Sequence, residues 1–213
     1  MRTFIVSSLA LVSSASLAAA SWTPIARMSR IQVIAGSASG QDVVTHFNPY
    51  SNSISRTGVG AGVTSSQTSS LTATQILLSS SSEIASYSLG GGSGSFGNAS
   101  VVNTLRVDFA ASDSMSFVFS GSKRGLPSYN SIYLKNLTTN TFVFILSGID
   151  PDDFTKSGLL ANGNYRLEMT TEASTSGFTS SPSINATFTF VPAPSSMGML
   201  AACGLVSFHR RRR

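Results

Sequence analysis

The chain holds a single cysteine, Cys203, close to its C-terminus. The residues before it therefore carry no disulfide and no thiol chemistry, and the fold must rest on a hydrophobic core. Histidine is almost as scarce. His46 and His209 are the only two. With His209 in the terminal tail, the single histidine left cannot build a His-based zinc site. No G-x-S-x-G elbow stands among the many serines, so the usual signature of a Ser-His-Asp hydrolase is missing, and His46 reads as a surface or core residue. Between the two chain ends no stretch keeps an apolar period of 3.6 residues, so no long amphipathic helix is expected.

Charge is sparse as well, at 11% of residues, and it is unevenly placed. Lys and Arg total 14 against 9 Asp and Glu, a formal +5. Five of the arginines are Arg2 and Arg210 to Arg213, at the extreme ends. Between them, acidic and basic residues balance at 9 each. Lys123-Arg124 is the only adjacent basic pair there. Without a basic stripe nothing follows a phosphate backbone, and nucleic-acid binding is not expected.

Both ends read as sorting devices. Met1 to Ala20 has the form of a signal peptide: a positive start at Arg2, a mostly apolar run from Phe4 to Leu17, and small residues Ala18 and Ala20 before a cut at Ser21. Its partners would be the export machinery and signal peptidase. At the other end, Val191-Pro192-Ala193-Pro194-Ser195 precedes the uncharged run Met197 to Phe208 and then Arg210, Arg211, Arg212 and Arg213. As a helix the run would be ~18 Å long, at about 1.5 Å per residue. That falls short of a ~30 Å hydrocarbon core unless arginine side chains snorkel. The prolines break any incoming strand, and the four arginines form a basic stop that holds the end on the cytoplasmic side.

This order of parts resembles the PEP-CTERM sorting signal of exported bacterial proteins, with Ala193 where that family usually carries an acidic residue. The resemblance implies recognition by an exosortase-like membrane protease, which removes the tail near the motif. It also implies transient anchoring in the inner membrane through the C-terminal helix, then release to the cell surface or extracellular matrix among exopolysaccharide.

Residues 21–190 remain for one domain. Ser21 to Arg30 is a poorly defined entry. Ile31 to Ala35 and Asp42 to Phe47 read as short strands around the turn residues Gly36 to Gly40. Residues 51–100 then hold 16 Ser and 8 Gly, which argues against a long helix. That half fits a solvated low-complexity surface and a regular sheet equally well. Its β-like islands are Leu71 to Leu78 and Ile84 to Leu89, with Gly58 to Gly62 and Gly90 to Gly97 as flexible connections. From Val101 the period is two. Leu105, Val107 and Phe109 face one way, Arg106 and Asp108 the other. Met115, Phe117 and Phe119 alternate with polar partners. So do Tyr165, Leu167 and Met169, and finally Ile184, Ala186, Phe188 and Phe190. Thr141 to Ser147 is apolar on both faces, as a central strand should be. Gly158 to Leu167 resembles the Gly-turn-Tyr entry to a strand in sandwiches of exported bacterial proteins.

Candidate chemistry is thin. Gly92-Ser93-Gly94-Ser95-Phe96-Gly97 matches the dinucleotide fingerprint, but a strand pattern follows where a helix is required, so a loop is expected. Asp150, Asp152 and Asp153 could share a Ca²⁺, or simply form a solvated turn around Pro151. Asp108 with Asp113, or Glu168 with Glu172, could serve glycoside hydrolysis if held at roughly 5 to 10 Å. Trp22, Tyr50, Tyr129 and Tyr133 could stack on sugars, although Trp22 lies too near the expected cut for a rigid platform. Asn98, Asn136 and Asn185 each open an N-x-S/T acceptor.

The sequence thus predicts an all-β, antiparallel two-sheet sandwich, jelly-roll-like, with a helical signal peptide and a short C-terminal hydrophobic helix. Its organisation is 1–20 signal peptide, 21–190 secreted sandwich and 191–213 sorting signal. The expected role is structural or adhesive, without catalysis or cofactor. A carbohydrate- or Ca²⁺-binding module is the alternative, and an unrecognised secreted hydrolase the second.

Overall fold

The computed structural model describes residues 21–86, 97–124, 128–148, 152–176 and 179–191. The signal peptide, the fingerprint residues 92–96, Asp150 and the tail from Pro192 lie outside the described residues. The first strand, β1, runs Trp22–Ala35 and pairs with β2, Ala38–Val44. A meander follows: β3 Tyr50–Gly58, β4 Ala61–Leu71 and β5 Gln75–Ser86. Next come β6 Asn98–Ala111, β7 Met115–Arg124, β8 Ser128–Asn136, β9 Thr141–Gly148, β10 Asp152–Leu160 and β11 Gly163–Ser176. A two-residue β12, Thr179–Ser180, and β13, Ser183–Val191, close the series.

Two antiparallel sheets result. One has the order β2-β1-β6-β11-β8-β9, the other β10-β7-β13-β5-β4-β3. From β5 onward the pairing is nested: β8 with β9, β7 with β10, β6 with β11, β5 with β13. Chain order alternates between the sheets, as when a doubled ribbon is wrapped into a jelly roll. Strands β1 and β2 extend one sheet, and β3 and β4 the other.

The inward positions fill with Phe109, Phe117, Phe119, Phe188 and Phe190. Phe117 stacks on Phe188 at 5.1 Å and Trp22 on Phe190 at 4.4 Å. Each such pair adds about 1 kcal/mol beyond its burial. Trp22 is therefore core, and its Nε1 donates to the Ala73 carbonyl at 2.7 Å. A second, aliphatic cluster collects Ile31, Val33, Ile54, Val63, Ile84 and Val101. Buried polar residues lie alongside both clusters. Asn103 Nδ2 donates to Ser65 Oγ at 2.8 Å and Ser82 Oγ at 2.9 Å, and Gln67 Nε2 to the Thr104 carbonyl at 3.1 Å.

These serines explain where the pattern misleads. Residues 51–86 form a regular three-strand meander. Its inward serines look like surface residues in sequence, yet inside Ser65 bonds Ser82 at 2.8 Å, and Ser69 bonds Ser29 at 3.1 Å and Arg27 at 2.6 Å. The Leu71 to Leu78 island is cut by a turn, where Thr72 Oγ1 accepts from the Gln75 amide at 3.1 Å. The Gly58 to Gly62 connection is a tight hairpin with Gly60 at φ 69°, a conformation that suits glycine. The entry before Ile31 belongs to β1, whose inward Arg27 and Ser29 hide the alternation. The turn after it is only Gly36-Ser37, and β2 ends at Val44.

The largest correction concerns Thr141 to Ser147. It lies in β9, at the edge of its sheet rather than the centre. Phe144 and Leu146 pack inward, whereas Phe142 and Ile145 are 52% and 53% exposed. A bulge opposite Leu134 and Lys135 carries Phe142 to the outer side.

Candidate functional site

The outer face of the seven-stranded sheet is built mostly from hydroxyl and amide side chains. Alternation puts every second residue of each strand there, and the register aligns them in rows. One row reads Ser122, Asn185, Ser79, Thr68, Ser51 across five strands. A second reads Ser120, Thr187, Leu77, Ser70. Ser79 Oγ donates to Asn185 Oδ1 at 2.5 Å. Over these rows lies an open groove of about 680 Å³, walled on one side by Pro49 and Tyr50.

That wall is anchored from inside. Arg27 is buried at 3% exposure. Its Nη1 donates to the Asn48 carbonyl at 2.5 Å, and its Nη2 to Ser69 Oγ at 2.6 Å and the Ser69 carbonyl at 3.1 Å. Burial lowers its pKa from the ordinary arginine value. Tyr50 donates to Asp42 Oδ2 at 2.7 Å, as does Asn52 Nδ2 at 2.7 Å. Hydrogen bonds from Asn52 and then Tyr50 hold the Asp42 carboxyl below its usual value. Burial, and then Asp42, push the Tyr50 phenol up.

The outer face of the six-stranded sheet has a different chemistry. Asp108 accepts from Arg166 Nε at 2.8 Å and Nη2 at 2.9 Å, and from Arg106 Nη2 at 3.0 Å. Burial alone would raise this carboxyl, but the two guanidiniums outweigh it and hold it below the ordinary Asp value. Farther along, Tyr133 meets Phe142 edge-on at 5.5 Å, and Lys135 Nζ sits 5.2 Å from the Phe142 ring centre. Burial and then Glu168 push the Tyr133 phenol up.

The sequence candidates scatter over this frame. Asp108 is locked between arginines, while Asp113 is exposed in the turn after β6. Glu168 and Glu172 lie on one face of β11, four residues and so roughly 13 Å apart, beyond the spacing of a glycosidase pair. Asp152 opens β10, and Asp153 forms an ion pair with Arg124. His46 is exposed, and its carbonyl accepts from Arg27. Gly97 leads into β6, a strand, so the helix that a dinucleotide fingerprint requires does not follow it. The four platform candidates do not meet as one surface: Trp22 and Tyr50 are buried, and Tyr129 and Tyr133 share the outer side of β8. Asn98 and Asn185 are exposed, while Asn136 Oδ1 accepts from the Thr138 and Thr139 amides at 2.9 and 3.1 Å. Tyr165 opens its strand as expected, with its hydroxyl donating to the Ala161 carbonyl at 2.9 Å, a tyrosine corner.

The groove itself is what sequence reasoning missed. Its signal was present as alternating serines and threonines in β4, β5, β7 and β13, which read as plain solubility until the register aligned them. No protein-family model matches this chain, and no curated protein is significantly similar to it.

Proposed function

We propose that this is a non-catalytic exported protein of the cell surface or extracellular matrix, with the jelly roll as its mature, structural or adhesive module. The observation that carries the reading is that every described strand falls between the two expected cuts: β1 begins at Trp22, two residues past the first cut, and β13 runs to Val191, the last described residue. Among the described residues, trimming at both signals would remove no strand. Both strand ends also leave from one end of the sandwich, since the Ser112 amide donates to the Ser21 carbonyl at 3.0 Å and Val191 pairs with Ser116. A single terminal attachment there would leave both outer faces free. In this reading the partners are signal peptidase, an exosortase-like protease and exopolysaccharide. The state of Asp108 supports the non-catalytic part: a carboxylate locked by two arginines is kept charged, the opposite of a general acid's requirement.

The test is the intact mass of the protein from its native envelope, with both ends mapped. A form starting at Ser21 and lacking the residues after Pro194 or nearby is expected. A form that starts at Ser21 and still ends at Arg213 would replace sorting by permanent tethering. Polysaccharide hydrolysis that Asp108→Asn abolishes would overturn the non-catalytic reading.

A further inference from the structure

We propose that the groove over the seven-stranded sheet binds an uncharged polysaccharide chain lying across the strands. The inference goes beyond the exported-module reading and holds whether or not the tail is cut. Charge selects the ligand class first. No Asp, Glu, Lys, Arg or His lines the groove. A polyanion would therefore find no counter-charge, and a hard metal ion no carboxylate. The nearest charge in the long row, Asp153 on β10, lies outside the groove and is paired with Arg124.

Polarity selects next. The lining mixes hydroxyl and amide side chains with apolar surface that includes Pro49, Leu77, Leu78 and Ala186. The best-matched ligand therefore offers both hydroxyls and a C–H face, as a sugar ring does, while a purely apolar chain would leave the hydroxyls unpaired. A hydroxyl side chain both donates and accepts, so it can meet a sugar hydroxyl in either sense. Leu77, flanked by Thr187 and Ser70, offers an apolar floor for the C–H face of a sugar ring. Ser79 already engages Asn185 Oδ1, and among the described residues the Asn185 amide hydrogens have no partner, so they can turn toward a ligand acceptor.

Length selects last. At about 4.8 Å between strands, the row from Ser122 to Ser51 extends about 19 Å. That is the reach of a chain rather than of one sugar. The groove is open and uncharged, so each site is weak, and a polymer with repeated contacts binds better than its monomer.

Affinity electrophoresis of the full chain tests this. Native gels would contain dextran, galactomannan, mixed-linkage β-glucan or hydroxyethylcellulose, with alginate as the charged control. At least one neutral polymer is expected to retard the protein, and alginate is not. Leu77→Arg and Thr187→Arg, both on the outer face, should weaken the retardation about tenfold or more, equivalent to ~1.4 kcal/mol. Ser174→Arg, on the opposite sheet, should leave it unchanged at the same added charge. Thermal unfolding of each variant checks the fold, and Thr187→Arg carries the test if Leu77→Arg melts early. Absence of retardation by every neutral polymer would overturn the proposal. So would retardation that the groove variants leave intact, or equal retardation by alginate.

Discussion

On the outer face of the six-stranded sheet, neighbouring strands meet through charge and rings. Asp108 is held by Arg166 and Arg106, and Tyr133 meets Phe142. On the outer face of the seven-stranded sheet the same pairing geometry brings Ser122, Asn185, Ser79 and Thr68 side by side. Both faces sit on one shared aromatic core. The difference shows that strand geometry fixes where side chains lie, while their chemistry decides whether a face adds stability or stays free for a ligand. The mostly buried Arg166–Asp108 pair between strands stabilises the first face, whereas Arg124–Asp153 on the second is exposed and adds little. Small hydroxyls form only weak pairs, so the second face contributes little to stability and can change without unfolding the chain.

The shared core is where the largest effect is expected. Phe188→Ala should destabilise the fold by about 4 kcal/mol. Urea unfolding followed by Trp22 fluorescence and by circular dichroism should shift together, erasing both faces at once. Separate shifts would mean that the sheets unfold independently.

The comparison itself is sharpened by a pair of variants. Asp108→Asn should cost about 2 kcal/mol at neutral pH, because it weakens a charge-assisted bond and leaves Arg166 underpaired. Ser79→Ala should stay within about 0.5 kcal/mol. Their pH dependence separates them further. The folded Asp108 pKa is depressed. Its stabilisation is therefore present above the ordinary Asp value of about 3.9 and is lost as pH falls through the lower folded value. Urea midpoints below pH 4 should thus fall less steeply in Asp108→Asn than in the parent, whereas Ser79→Ala should track the parent.

A smaller effect belongs to β9. Natural edge strands are usually blunted by charge or proline. β9 has neither, and it exposes Phe142 and Ile145. Sedimentation velocity at rising concentration should show self-association that Ile145→Lys reduces, with stability changed by less than about 0.5 kcal/mol. Equal association of parent and variant would show that the bulge already protects the edge.

Much of the fold was legible from Val101 onward. There the inward Phe, Leu, Ile and Met residues keep strict period two, and Leu105, Val107, Phe117, Phe119, Phe188 and Phe190 are all buried. Before that point the pattern failed because inward places are taken by Arg27, Ser29, Ser65, Ser69, Ser80 and Ser82. A buried serine bonded to another serine looks the same in sequence as a solvated one. The groove was hidden for a related reason: its residues come from strands as distant as β3 and β13, and only pairing brings them together.

By itself, then, the sequence determined an antiparallel β sandwich with an aromatic core, because alternation reports directly which side of each strand is buried. Tertiary structure alone decided that β9 is an edge, that Asp108 is locked by Arg166 across 58 positions of chain, and that scattered hydroxyls line one groove. Alternation says which way a side chain points but not which strand lies beside it. That neighbour is chosen by the nested wrapping of the whole chain.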